Sequence, residues 1–131
     1  MTNINELLQG FHRFRLKNFE PNRELFNQLA MKGQTPRTLL IGCSDSRVDP
    51  AILTDSAPGA LFVIRNVANL IPPCETGGRY HGTSAAVEYA VCNLEVDNII
   101  VLGHSRCGGI NALLEGYGAN NEGEGLSLIH I

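Results

Sequence analysis

Three short apolar segments, each followed by a helical pattern, constrain the fold of this chain most strongly. They are RTLLIGC (37–43), GALFVIR (59–65) and DNIIVLGH (97–104). Each has the length and composition of a buried strand. Helical patterns follow them, beginning near Pro50, spanning 83–94 and starting again at Cys107. Strands that alternate with helices predict an α/β fold with a parallel sheet and right-handed crossovers.

The ends of the predicted helices carry their own signals. Thr83 or Ser84 is the expected N-cap of the helix at 83–94. Between residues 4 and 30, apolar side chains recur at spacings of three and four, which is typical of two amphipathic helices. Pro21 is expected to open the second of these, because proline is favoured at the first helical position. The segment GQTP then breaks the helical pattern.

Length and composition bound the class of protein. The chain has 131 residues, 44% of them hydrophobic and 18% charged, which suits one globular domain. Its formal net charge is −3 and its basic residues are scattered, which argues against a nucleic acid or an anionic membrane as partner. Neither a membrane-spanning apolar stretch nor the apolar centre of a signal peptide is present. We expect a cytoplasmic protein with reduced thiols.

The last six residues, LSLIHI, differ in character from the polar NNEGEG that precedes them. They match a translation of a transposase adaptor used in preparing sequencing libraries. We therefore expect residues 126–131 to be a non-native tail and the natural protein to continue from about Gly125. On this hypothesis His130 has no functional role, and the chain by itself is expected to be poorly soluble or weakly active.

Two of the predicted strands end in chemically reactive sequences. Cys43 opens the sequence Cys-Ser-Asp-Ser-Arg after the first strand, and His104-Ser-Arg-Cys107 follows the third. In open α/β sheets, ligands gather at the carboxyl ends of the strands, so these side chains can converge. Two thiolates and an imidazole suit zinc, and three protein ligands leave a fourth position open. Cys43, His104 and Cys107 therefore indicate a catalytic zinc site.

Simpler interpretations exist for single residues. Cys74 and Cys92 are expected to be small buried apolar groups, and a histidine at a strand end is often only a satisfied polar residue. Asp45 and Arg47, however, are unfavourable beside a buried thiol unless they are paired. Hydride transfer from a dinucleotide is excluded, because no G-x-G-x-x-G follows the first strand.

Four segments together carry a resemblance to a known family. In chain order they are CSDSRVDP, LFVIRNVANLIPP, AAVEYAV and GHSRCGGI. Their order and spacing resemble those of the β-class carbonic anhydrases, from about Gly33 to Glu115 and more loosely over the N-terminal helices. The chain is most similar to the plant-type branch, because Gln34 stands at that branch's active-site glutamine position. The resemblance implies a three-layer fold with a central parallel sheet flanked by helices, incomplete at the C-terminus.

The same resemblance implies a domain division and a role for each site residue. A helical arm (1–32) precedes a zinc-binding α/β core (33–125). Cys43, His104 and Cys107 hold one zinc ion per subunit, and Asp45 and Arg47 form a carboxylate–guanidinium pair beside it. The substrate pocket is lined by Gln34, Phe62, Val67, Tyr89 and the backbone of Gly108. In the family, the glutamine and tyrosine equivalents come from the neighbouring subunit, which implies a homodimer or higher homo-oligomer with clasping N-terminal helices.

The implied activity is the reversible hydration of carbon dioxide to bicarbonate and a proton by zinc-bound hydroxide. Asp45 orients that hydroxide and Arg47 holds Asp45, although in a subset of the family the aspartate instead closes onto the zinc. Because two thiolates cancel the zinc charge, we expect the pKa of the bound water to exceed the value of about 7 found with three histidines. His81 is either a proton shuttle or simply solvent-exposed, and His12 is expected on the surface.

Two alternatives keep the same metal site. One is hydrolysis of CS2 or COS, which relatives of the family carry out and which depends on the pocket entrance. The other is a non-catalytic zinc or bicarbonate-sensing module. The presence of both Asp45 and Arg47 argues against the second alternative, because a purely structural zinc site needs neither.

Overall fold

The three predicted strands form one parallel sheet in the computed structural model, which describes residues 3–73 and 81–116. Strand β1 (Thr38–Cys43) lies between β2 (Leu61–Asn66) and β3 (Asn98–Leu102). In this register Cys43 pairs with Asn66 and Gly42 pairs with Leu102, so all three strands end at the same edge. The predicted α/β fold with a central parallel sheet is confirmed.

The core of the sheet is built on β1 because it is the central strand. Leu39, Leu40 and Ile41 are almost completely buried. Leu39 and Ile41 pack with Ile64 of β2 and with Ala90 on one face of the sheet. A second buried cluster, at the carboxyl edge, contains Cys43, Val48, Ala68 and Cys107. The sheet therefore provides a packed base on which the strand-end loops are fixed.

In the described part of the core, three α-helices accompany the strands: α3 (Pro50–Thr54), α4 (Gly82–Glu88, continued by a π-helical turn at Tyr89–Asn93) and α5 (Gly108–Leu114). Helix α3 begins as predicted, with Pro50 at its first position and the Asp49 carboxylate accepting the N–H groups of Ala51 and Ile52. The predicted cap of α4 is wrong. His81 is the N-cap and makes no side-chain capping bond, while the Thr83 hydroxyl accepts a hydrogen bond from Asn66.

The chain divides between Gln34 and Thr35, and the N-terminal unit contains two helices. Helix α1 (Ile4–Phe14) starts with a capping box made by Asn3 and Glu6, and a π-helical turn (Arg15–Phe19) follows it. Helix α2 spans Arg23–Lys32, so the prediction that Pro21 opens it is wrong. Residues 20–22 form a turn instead, and α2 starts after Asn22. Neither helix has a fully buried residue, and His12 is exposed as expected.

Several apolar side chains remain exposed. Among the described residues, strand β3 has a partner on one side only, and Ile99, Ile100 and Val101 are 45–50% exposed. Cys92 is exposed on the π-helical turn, where Ala90 is the buried residue, so its predicted burial is wrong. No helix within residues 3–73 and 81–116 has the length and apolar character needed to cross a membrane. Cys74 and the predicted non-native tail lie outside the described residues.

Candidate metal centre

The structure brings the three predicted metal ligands together at the carboxyl edge of the sheet. Cys43 is the last residue of β1, His104 follows the end of β3, and Cys107 is the N-cap of α5. Their ligand atoms all lie within 4.8 Å of one another, and the two sulfur atoms are 3.8 Å apart. The parallel pairing of β1 and β3 explains this convergence, because the two strands end side by side. These residues form a group that could hold a metal ion.

The His104 ring is oriented by its own loop. Its Nδ1 lies 3.1 Å from the carbonyl oxygen of Ser105. Since a carbonyl can only accept, Nδ1 carries the proton in this contact and Nε2 is left with a free lone pair. Nε2 is buried and has no hydrogen-bond partner within the described part of the chain. A buried acceptor without a partner is unfavourable in a metal-free protein but suits a metal ligand.

The Cys43 thiol is set up to ionise. Burial raises its pKa, but the backbone N–H of Asp45, the His104 side chain, the backbone N–H of Ala68 and the Cys107 side chain together outweigh burial, and the net effect lowers the pKa to about 7. The Asp45 nitrogen lies 3.4 Å from the sulfur. Because the thiolate is the form that binds metals, both N–H groups favour ligation.

Asp45 and Arg47 form a bidentate pair beside this group. Arg47 donates from Nε to Oδ1 at 2.9 Å, from Nη2 to Oδ2 at 2.8 Å, and from its backbone N–H to Oδ1 at 2.9 Å. Hydrogen bonds from the Arg47 side chain, followed by its backbone N–H, hold the pKa of the Asp45 carboxyl well below its usual range. Reciprocally, the pKa of Arg47 is raised, mainly by its hydrogen bond to Asp45. The pair is therefore an ionised unit of fixed geometry.

Arg47 also connects the two ligand-bearing loops. Its Nη2 donates to the backbone carbonyl of Arg106 at 3.3 Å. Arg106 stands between His104 and Cys107 and has a positive φ of 53°. One guanidinium group thus holds the carboxylate of the first loop and the backbone of the second.

A short turn at Val67–Asn69 completes the surroundings of the metal group. Ala68 is fully buried with a φ of 68°, a left-handed conformation that is uncommon for alanine. Asn66 fixes the turn, because its side chain both donates to the carbonyl and accepts from the N–H of Leu70. Gly109 of α5 packs directly on it: a Cβ at Gly109 would lie 2.7 Å from Val67 Cγ1 and 2.9 Å from Ala68 Cβ. Only glycine fits at this contact.

Two predicted pocket residues lie close to the metal group. Gly108 lines a cavity of about 520 Å³ together with His104, Arg106 and Cys107. Val67 is 43% exposed and lies against Gly109, which follows Gly108 in α5. Backbone and apolar surface are therefore both present beside the three ligand atoms.

Two other predicted pocket residues, Phe62 and Tyr89, lie away from the group within this chain. Phe62 is the second residue of β2, near its amino end, and packs against the Leu39–Ile41 core. Its ring contacts that of Tyr89, with centroids 5.9 Å apart. Gln34 is exposed at the end of the N-terminal unit, which the structure describes separately. His81, the candidate proton shuttle, is exposed.

The sequence patterns did not predict three residues that support the site. Arg65 holds the loop after β1, the Ala68 amide faces the Cys43 sulfur, and Gly109 permits the close approach of α5. A charged residue at the end of an otherwise apolar strand was a usable signal for Arg65. The left-handed alanine had no signal, because the residue type gives no indication of such a conformation.

Comparison with known proteins identifies the family. A family model described as carbonic anhydrase matches residues 38–130. The carbonic anhydrase of Synechococcus elongatus is 46% identical over 112 residues, which cover 86% of this chain and 40% of that relative. The chain thus spans less than half the length of this curated relative.

Solved structures agree with this result. The β-carbonic anhydrase CcaA is 50% identical and superposes with a TM-score of 0.78, covering 86% of this chain and 49% of that one. One of two tetrameric β-carbonic anhydrases from Sordaria macrospora is 34% identical with a TM-score of 0.75, covering 96% and 58%. The matched residues include all three ligand positions and the Asp45–Arg47 pair is present between them, so the chain belongs to the carbonic anhydrase family, in its β class.

Proposed function

We propose that this chain carries the zinc site of an enzyme that reversibly hydrates carbon dioxide to bicarbonate and a proton. One observation supports this proposal above the others. Two buried thiols and an imidazole nitrogen converge within 4.8 Å, and an ionised aspartate–arginine pair lies beside them. A structural zinc site does not need that pair. The fourth ligand position, which a catalytic site leaves open, is supplied by no further Cys, His, Asp or Glu among the described residues.

The donor set suits zinc. Two thiolates bound to one tetrahedral zinc at about 2.3 Å lie about 3.8 Å apart. The Cys43 and Cys107 sulfur atoms are 3.8 Å apart. The free Nε2 of His104 supplies the third donor, with Nδ1 held by the Ser105 carbonyl. Zinc therefore fits this donor set and the separation of its two sulfur atoms.

Zinc, when bound, supplies a Lewis acid that makes hydroxide available near neutral pH. The residues of this chain then determine the orientation of the hydroxide. The Asp45 carboxylate can accept a hydrogen bond from the attacking hydroxide and direct a lone pair toward carbon dioxide. Arg47 donates twice to Oδ1 and once to Oδ2, which keeps Asp45 ionised and leaves Oδ2 the oxygen with more capacity to accept a further hydrogen bond.

The remaining pocket residues fit the substrate. Val67 offers an apolar surface to carbon dioxide, and the backbone N–H of Gly108, at the first turn of α5, is free to donate to bicarbonate. Phe62, Tyr89 and Gln34 would serve the site of a neighbouring subunit, which makes the proposed unit a homo-oligomer of at least two chains. The Sordaria macrospora enzymes are described as tetrameric.

A carbon dioxide hydration assay tests the proposal. We expect zinc-loaded protein to hydrate carbon dioxide at a low but measurable rate in stopped-flow measurements with a pH indicator, and removal of zinc by a chelator to abolish the activity. Asp45→Asn should lower kcat by about 100-fold while zinc content stays at the wild-type level. Asp97→Asn is the matched control, because Asp97 also pairs with an arginine, Arg37, on the exposed rim of the sheet.

The outcomes separate the competing functions. Zinc-loaded protein that turns over CS2 or COS but not carbon dioxide would contradict the substrate assignment. Zinc-loaded protein that turns over none of these substrates would favour the alternative of a non-catalytic zinc or bicarbonate-sensing module. Normal turnover by Asp45→Asn would contradict the role given to that carboxylate.

A further inference from the structure

We propose that Arg65 is a positioning residue, which fixes the loop at 43–49 so that the Asp45 carboxylate is directed at the reacting group. This inference rests on the proposed function for its kinetic consequences. Its structural basis is independent of that function, because it follows from hydrogen bonds that Arg65 makes within the loop.

Arg65 contacts the loop at three points. Its Nε donates to the carbonyl oxygen of Cys43 at 3.0 Å and its Nη2 to the carbonyl oxygen of Asp45 at 2.7 Å. Its Nη1 donates to Asp49 Oδ2 at 3.0 Å. The beginning, the middle and the end of the loop are therefore tied to a single planar group, which itself stands on β2.

The contact with Asp45 has the most direct effect on the site. The Asp45 carbonyl accepts from Arg65, and the Asp45 N–H donates to the Cys43 sulfur. Both backbone groups of this residue are thus fixed, and the Arg47 side chain fixes the carboxylate. Arg47 belongs to the same loop, and its contact with Arg106 is to the backbone of another loop, so Arg47 does not tie the pair to the sheet. Arg65 supplies the reference because it belongs to the sheet.

The contact with Asp49 anchors the far end of the loop. Asp49 uses Oδ1 to cap α3, accepting from Ala51 at 3.1 Å and Ile52 at 3.3 Å, and uses Oδ2 for Arg65. The Arg65 side chain is 28% exposed, so solvent screens these contacts only in part. The Asp49 carboxylate therefore both caps α3 and holds the Arg65 guanidinium.

The sequence around Arg65 explains how its side chain reaches the loop. Arg65 pairs in register with Gly42 of β1, and side chains of paired residues lie on the same face of the sheet. This register places Arg65 beside the end of β1, where its Nε reaches the carbonyl oxygen of Cys43 at 3.0 Å. Lysine has a single ammonium group and cannot reproduce three donors in a fixed plane.

Arg65→Lys tests the proposal. We expect kcat to fall by about 10- to 100-fold through misorientation of Asp45, with KM and zinc content near the wild-type values. Arg37→Lys is the matched control, since Arg37 lies at the start of β1 and pairs with the exposed Asp97. Asp49→Asn, which weakens one of the three contacts, should give a smaller loss of about two- to fivefold.

A double-substitution cycle separates positioning from general damage. If Arg65 acts through Asp45, Arg65→Lys should cause little further loss of kcat in an Asp45→Asn background, because the carboxylate is already gone. Independent structural damage would instead multiply the two losses. Multiplied losses, or a fall in zinc content that accounts for the lost activity, would overturn the proposal.

A second measurement does not depend on the reaction. Hydrogen–deuterium exchange of zinc-loaded Arg65→Lys should show faster exchange in the peptide covering residues 43–49, with the β1 and β3 amides unchanged. Unchanged exchange at 43–49 would overturn the proposal even where the wild-type protein hydrates carbon dioxide. Faster exchange at residues 43–49 of the variant, where the wild-type protein does not hydrate carbon dioxide, would support the role of Arg65 in fixing the loop and would contradict the proposed function.

Discussion

Gly109→Ala should weaken the metal centre although Gly109 is not one of its ligands. Gly109 is the second residue of α5, which begins immediately after Cys107. The added Cβ would lie 2.7 Å from Val67 Cγ1, 2.9 Å from Ala68 Cβ and 3.1 Å from Ala68 N. Ordinary contacts of this kind start at 3.4 Å. The helix and the turn would therefore have to separate by about 0.5–1 Å.

The energetic effect can be estimated from this overlap. Overpacking a rigid contact costs about 1–3 kcal/mol. If α5 moves away, Cys107 moves with it and the ligand geometry must be restored on zinc binding. If α5 stays, the same strain destabilises the folded protein. In both cases the free energy of unfolding of the zinc-loaded protein falls by about 1–3 kcal/mol. If α5 moves, the affinity for zinc also falls, by about 5- to 100-fold.

The assay is urea unfolding of zinc-loaded protein, combined with zinc competition against a chromophoric chelator. Gly108→Ala is the matched control for folding and zinc affinity, because a Cβ at Gly108 meets nothing within 4 Å. Zinc-loaded Gly109→Ala that unfolds at the wild-type urea concentration and binds zinc equally well would refute the reasoning.

Other predictions concern charge, ligation and backbone conformation. The folded-state pKa of Asp45 is lowered, so this carboxylate stays ionised until the pH falls well below about 4. The wild-type stopped-flow profile of kcat should therefore show a single transition between about pH 5 and about pH 9, and a second transition from Asp45 in that range would contradict this. The wild-type profile should have its half-point above about 7, because two thiolates reduce the Lewis acidity of zinc; a half-point well below about 7 would contradict this. His104→Ala should lower the zinc content of dialysed protein about tenfold or more, measured by metal analysis. Asp55→Gly should raise the free energy of unfolding by about 0.5–1 kcal/mol, because Asp55 ends α3 in a left-handed conformation with a φ of 49°. A lower free energy of unfolding than the wild type in urea titrations would argue against this.

Much of the fold was predictable because hydrophobic patterning determines it. The apolar runs gave all three strands to within about two residues, and the parallel arrangement followed from the alternation with helices. Helix starts were less predictable. Thr83 has the residue type of an N-cap, but its hydroxyl is taken by Asn66, a tertiary contact with no signal in the local sequence. Pro21 is compatible with a helix start and a turn alike.

The site divides in the same way. Cys43, His104 and Cys107 could be nominated because thiols and an imidazole at the ends of parallel strands are typical of a zinc site. Cys92 shows the limit of arguing from residue type, since a cysteine is usually buried and the structure exposes this one. The groups that support the ligands were not predictable, because they act through backbone atoms or through the absence of a side chain. The Ala68 amide and Gly109 are both of this kind.

The position of backbone strain supports a site held under constraint. Five non-glycine residues have a positive φ among residues 3–73 and 81–116, and three of them lie at the metal group: Ala68, Asn69 and Arg106. Such conformations persist only where surrounding contacts impose them. At Ala68 the constraint is the Asn66 side chain and the contact with Gly109, and at Arg106 it is accompanied by the hydrogen bond from Arg47. Since each ligand-bearing segment is held by another, substitutions that contact no ligand should still alter metal binding.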